Sequence, residues 1–132
     1  MKKKAVVFLA MLLFLVSVCL PIAEAHAAMK EAAGDGFMSV SGKAVTFGGY
    51  TSSSSVEDII RITVILFEQR GSSWYEVDRV AKTKYDASYV SASKTTTVSG
   101  GHYYRVKVIH YTKTGSVENS SSSYTAKQWI PA

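Results

Sequence analysis

Between residues 60 and 67 the chain reads Ile-Arg-Ile-Thr-Val-Ile-Leu-Phe. Side chains alternate across a β-strand, so Ile60, Ile62, Val64 and Leu66 share one face while Arg61, Thr63, Ile65 and Phe67 take the other. Residues 58–69 therefore read as a buried strand. The texture around them is the same: Thr, Ser, Val, Tyr and Ile dominate after residue 36, and no stretch holds a helical period over about ten residues. Turn signals recur at short intervals, which marks an all-β sandwich or barrel rather than an α/β fold. Seven strands are expected, at 37–41, 43–50, 58–69, 74–84, 89–98, 102–112 and 117–130. Gly48-Gly49 reads as a bulge or bend within the second. The tract Ser52 to Ser55 is expected to be a loop, and the tract Ser120 to Ser123 to interrupt the last strand. Arg70-Gly71-Ser72-Ser73, Ser99-Gly100-Gly101 and Thr114-Gly115 supply turns.

The N-terminus is of another kind. Lys2, Lys3 and Lys4 precede an apolar run from Ala5 to Leu20, Pro21 breaks it, and Ala25-His26-Ala27 fits the small-x-small cleavage rule. This is a secretory signal peptide, 1–27, with cleavage expected after Ala27. A flexible leader is expected over 28–36 and one β domain over 37–132. Cys19, the only cysteine, sits in the apolar run behind Val18 rather than a small residue, so lipidation is not expected. The exported chain of about 105 residues then has no thiol for disulfides or metal and depends on its core alone. The whole chain is formally +5; without Lys2–Lys4 and Glu24 it keeps 12 basic and 9 acidic residues, or +3. That mild charge suits an anionic wall or membrane surface and does not call for nucleic acid. No membrane span is expected after cleavage.

Reactive constellations are missing. His102 and His110 share a face of one strand, but eight residues separate them by roughly 26 Å, too far to ligate one metal. His110 alternates with Val106 and Val108, so a structural, semi-buried histidine is expected. No serine lies in a G-x-S-x-G elbow. Glu76 and Asp78 share a strand face about 6.6 Å apart, a spacing common on any exposed strand. Gly48-Gly49 and Gly100-Gly101 lack the following helix that would hold a phosphate. No catalytic, metal or cofactor site is expected.

What stands out is aromatic and basic. On one face of residues 102–112 lie Tyr103, Arg105, Lys107, Ile109 and Tyr111, a set able to stack on rings and pair with anionic groups. Tyr103, Arg105, Lys107 and Tyr111 are the candidate ligand-binding residues. Trp74, Tyr75, Tyr85 and Tyr89 are candidates to extend the face, whereas Trp74 and Trp129 are also expected to pack at the ends of a sandwich.

The segment Gly101-His102-Tyr103-Tyr104-Arg105-Val106-Lys107-Val108 resembles the sixth strand of fibronectin type III and related immunoglobulin-like sandwiches, a Tyr followed by inward Val alternating with outward basic residues. The resemblance runs on through Thr114-Gly115-Ser116, the expected hairpin, and implies that the Tyr104 hydroxyl ties a sheet corner to the backbone. Residues 43–112 also resemble small, uncharacterised, secreted immunoglobulin-like proteins of Gram-positive bacteria. The resemblance implies a seven-stranded β-sandwich and a non-catalytic binding or interaction module, with a cell-wall polymer or another extracellular protein as partner. A self-assembling protein, pairing through an edge strand at 89–98, and a small secreted enzyme or inhibitor are the alternatives.

Overall fold

The computed structural model describes residues 32–132. The expected signal peptide with its cleavage after Ala27, Cys19 and the start of the expected leader lie outside the described residues. Six strands are present: β1 (Ala33–Ser41), β2 (Ala44–Arg70), β3 (Ser73–Thr97), β4 (His102–Thr114), β5 (Val117–Tyr124) and β6 (Gln128–Ile130). They form one antiparallel, curled sheet, and the described residues contain no helix.

β2 organises the sheet. Along one side it pairs first with β1, through Ala44 to Ser52, and then with β4, through Ile59 to Glu68; along the other side it pairs with β3. The curl falls between these two stretches. Ser52 pairs with Tyr89 and Glu57 with Ala87, so Ser53 to Val56 swell out of the ladder while β3 passes only Ser88. A bulge of this kind bends the strand and changes which residues face inward. Before it the fully buried apolar side chains of β2 are Val45 and Phe47, at odd positions; after it they are Ile60, Ile62, Val64 and Leu66, at even positions. Asp86, beside the bend in β3, takes φ 50°, a left-handed conformation that Asp tolerates better than branched residues.

The serine tract Ser52 to Ser55 is therefore a bend inside β2, not a loop, and the strands expected at 43–50 and 58–69 are one. The strands expected at 74–84 and 89–98 likewise merge in β3. The opposite happens at the C-terminal end. The break falls at residues 125–127, not at Ser120 to Ser123, because Thr125 clasps Val106: its N–H donates to the Val106 carbonyl at 3.0 Å and its Oγ1 accepts from the Val106 N–H at 3.0 Å. Strand β1 begins inside the stretch expected to be a flexible leader. Gly34 and Gly36 lie tight against the His110 ring and the Val108 side chain, a fit open only to residues without a Cβ. Gly48-Gly49 is no bulge either: both residues keep regular register with β1 and β3, and Phe37 lies over the bare backbone of Gly48.

The core lies between the two limbs of the curl. Val45, Phe47, Val90 and Val98 of the first limb meet Ile60, Ile62, Val64, Leu66, Tyr104, Val106, Val108 and Ile130 of the second. Three hairpins share one device: Gly42, Gly71 and Gly115 open their two-residue turns at φ near 60°, the position where a type II′ turn requires glycine.

Candidate functional site

The outer face of the second limb, formed by β3, β2, β4, β5 and β6, holds the predicted residues. Period two turns Val106, Val108 and His110 inward and Arg105, Lys107 and Ile109 outward. Cross-strand register fixes their neighbours. Phe67 stands beside Arg105, Ile65 beside Lys107 and Arg61 beside Tyr111; on the far side Tyr124 stands beside Lys107 and Trp129 beside Tyr103.

The cations lie on aromatic rings. The Arg105 guanidinium sits 4.2 Å from the Trp74 ring centre and 4.7 Å from that of Tyr124, between the two. The Lys107 ammonium is 5.7 Å from the same Tyr124 ring, and Lys127 is 4.5 Å from the ring of Tyr103. Tyr103 in turn meets Trp129 edge-on at 5.2 Å. These distances are those at which a ring's negative face attracts a cation. Among the described residues no carboxylate forms an ion pair with Arg105, Lys107 or Lys127, and the buried Nε of Arg105 has no hydrogen-bond partner.

Tyr111 stands apart at the other end of β4. Its hydroxyl donates to Glu118 at 2.8 Å and Arg61 lies 5.0 Å from its ring; the Glu118 carboxylate pushes the phenol above its ordinary range. Tyr111 thus belongs to a separate group at that end, with Arg61 and Glu118. Arg79, on the same face, is taken up by Glu76, which accepts from its Nε at 3.0 Å and also from its Nη2.

Three of the four predicted residues lie together on this face in two adjoining groups, Arg105 and Lys107 with Trp74 and Tyr124, and Tyr103 with Trp129 and Lys127. Sequence reasoning missed Tyr124 and Lys127, whose place depends on the break between β5 and β6. Trp74, expected either to extend the face or to pack at an end of the fold, extends the face, and Trp129, expected at an end, joins it as well and is 51% exposed. Of the proposed extensions, Tyr85 lies on the same face near the bend, Tyr75 falls opposite Glu68 on the inner side, and Tyr89 belongs to the first limb.

The shared face expected for Glu76 and Asp78 is not found. Asp78 pairs with Leu66 and Glu76 with Phe67, so a bulge at Val77 turns the two carboxylates to opposite faces. Asp78 instead binds Lys94 at 2.8 Å, joining the two limbs of β3.

Tyr104, Glu68 and His110 are titratable side chains buried in the fold. The Tyr104 hydroxyl accepts from the Gly100 N–H at 3.3 Å, the expected tie to the backbone, and donates to Glu68 at 2.9 Å. Burial raises the affinity of Glu68 for a proton, but hydrogen bonds from Arg70 and Tyr104, aided by His102, outweigh it and hold the carboxyl below its usual range. His110 is 2% exposed. Thr51 spends its hydroxyl proton on the Arg61 carbonyl at 3.2 Å, so it accepts from His110 Nδ1–H at 2.9 Å. His110 Nε2 then accepts from the Ser123 hydroxyl at 3.0 Å. Burial lowers the pKa of this imidazole, with Asp35 acting weakly the other way. The relay ends on a backbone carbonyl and satisfies every member, which is the arrangement of a structural histidine.

No family model matches the chain, and no curated protein matches it. Among solved structures it is similar to CsgH of R. palustris, at 16% identity and a TM-score of 0.39, over 71% of this chain and 90% of that one. It is also similar to Spo0M, a sporulation control protein from Bacillus subtilis, at 10% identity and a TM-score of 0.42, over 79% of this chain and 51% of the other, so that it spans about half of Spo0M's length.

Proposed function

We propose that this protein is a secreted, non-catalytic binding module acting at the cell envelope or outside the cell, with its curled sheet a variant of the immunoglobulin-like sandwich. Its contact surface is the outer face around Tyr103, Arg105 and Lys107, and its partner is an anionic wall polymer. One observation carries this reading: Arg105, Lys107 and Lys127 are held on aromatic rings with no carboxylate to neutralise them. A structural role alone would favour pairing such cations, as Arg79 is paired with Glu76. Stacked between Trp74 and Tyr124, the Arg105 side chain is already ordered, so little entropy is lost when an anion meets it.

The test is sedimentation of the purified protein with isolated Gram-positive cell walls between about 50 mM and 500 mM salt, a range over which surface charges become screened. The expected result is pelleting that falls with salt and is weakened by Lys107→Ala and Tyr103→Ala. Protein that stays in the supernatant at every salt concentration, or pelleting that Lys107→Ala leaves unchanged, would sink the proposal.

A further inference from the structure

The first limb has an outer face of its own, and its chemistry is different. Its outward positions are those in register with Ala44, Thr46, Gly48, Tyr50 and Ser52 of β2. Asp35 is the single formally charged side chain on it. Hydroxyls dominate: Ser39, Thr46 and Thr95 form one row across the three strands, and the Thr46 and Thr95 hydroxyls are hydrogen-bonded at 2.8 Å.

Three aromatic side chains interrupt the hydroxyls. Phe37 is level with Gly48, Tyr50 lies two residues farther along β2, and Tyr89 is level with Ser52, two residues farther again. Each step crosses one strand and advances two residues, so the three mark a diagonal roughly 16 Å long at ordinary strand spacing. Tyr50 and Tyr89 are stacked on each other, with ring centres 5.8 Å apart and planes 21° apart, so that the pair is held as one aromatic unit. Phe37, Tyr50 and Tyr89 are 47%, 40% and 49% exposed. The core does not account for them, since it lies on the other side of the limb.

We propose that this face binds an uncharged polysaccharide along the Phe37–Tyr50–Tyr89 diagonal. A sugar ring has an apolar C–H face bordered by hydroxyls. The aromatic rings supply the flat apolar contact, and the flanking Ser and Thr hydroxyls both donate and accept hydrogen bonds. With one carboxylate and no cation on the face, an anionic polymer gains nothing there, and a cationic one meets a single charge. This inference stands apart from the role of the basic face, which lies on the other limb.

The test is retention of the purified protein on cellulose, chitin and xylan, at low and at high salt. Retention is expected on at least one of them, insensitive to salt and to Lys107→Ala, and reduced about fivefold or more by Tyr50→Ala or Tyr89→Ala, the loss of one stacking contact. Tyr50→Phe keeps the ring and is expected to keep most of the binding. No retention on any of the three, retention unchanged in the alanine variants, or equal loss in Tyr50→Phe overturns the proposal. So does a shift from dimer to monomer in Tyr50→Ala without a change in retention, which would make the face a contact between two copies. Pelleting with cell walls that responds to salt and Lys107 while retention on cellulose, chitin and xylan fails separates the two readings.

Discussion

A single buried imidazole shows how far local pattern reaches. The alternation of Val106, Val108 and His110 placed His110 on the inner face of its strand, and it is there. Its partners, Thr51 from β2 and Ser123 from β5, come from strands whose register no local pattern contains. Their consequence is measurable. Burial holds the His110 pKa below its ordinary value, so the unfolded chain binds this proton more readily than the folded one. Stability from this group is complete above the unfolded pKa of about 6.5 and falls as pH drops below it, levelling off only below the folded pKa. Denaturant midpoints measured between pH 7.5 and pH 5 should decline for the wild type and decline less steeply for His110→Gln. Parallel slopes in the two proteins would show that His110 is not the group responsible.

Strands were legible where alternation was strict, and their joins were not. Ile60 to Leu66 and Tyr104 to Val108 face inward as alternation requires, and the Gly71 and Gly115 turns are where glycine signals them. The tract Ser52 to Ser55 has the composition of a loop, yet its residues stay extended through the bend, because their bulge is what carries β2 from one limb to the other. The only trace of this in the sequence is the change from odd to even buried positions between Phe47 and Ile60. The same distinction explains the binding face. Tyr103, Arg105 and Lys107 share a strand and could be grouped by period two; Trp74, Tyr124 and Trp129 reach them through register. Glycines of β1 give a test at this scale. A methyl group at Gly36 would overlap Val108 Cγ2, and overpacking of this kind costs about 1–3 kcal/mol. Gly36→Ala should lower the unfolding free energy by that order, and in a double-mutant cycle Val108→Ala should recover part of the loss. Additive effects would mean that the fit between β1 and β4 does not depend on this contact.

At the scale of the whole molecule, three features must coexist: two outward faces of different chemistry and a long free edge. Among the described residues β3 pairs with β2 alone, so its other edge offers unpaired backbone groups along most of its length. Such an edge invites strand addition by a second copy, the basis of the self-assembling alternative. Two lysines stand against it. Lys82 is in register with Ile62 and Lys84 with Ile60, so both fall on the core side of the sheet, yet both are exposed because β3 is the outermost strand. Lys82 lines the open cleft beside Val80 and Ala92. An incoming strand would cover these ammonium groups with its own inward residues and strip them of water, which is costly for an unpaired charge. Inward-pointing charge on an edge strand is a recognised guard against such pairing. The opposite half of the edge, at residues 89–97, has its inward Lys94 tied to Asp78 and so lacks a free charge of this kind. The guard is therefore local, and removing it should expose a continuous edge. Sedimentation over a concentration series should give the mass of one chain for the wild type and a rising mass for Lys82→Thr/Lys84→Thr, with no change in the circular dichroism of the dilute protein. If the double variant stays a single chain at every concentration, the lysines are not what keeps β3 unpaired, and the twist imposed by the bend at Asp86 becomes the device to vary next.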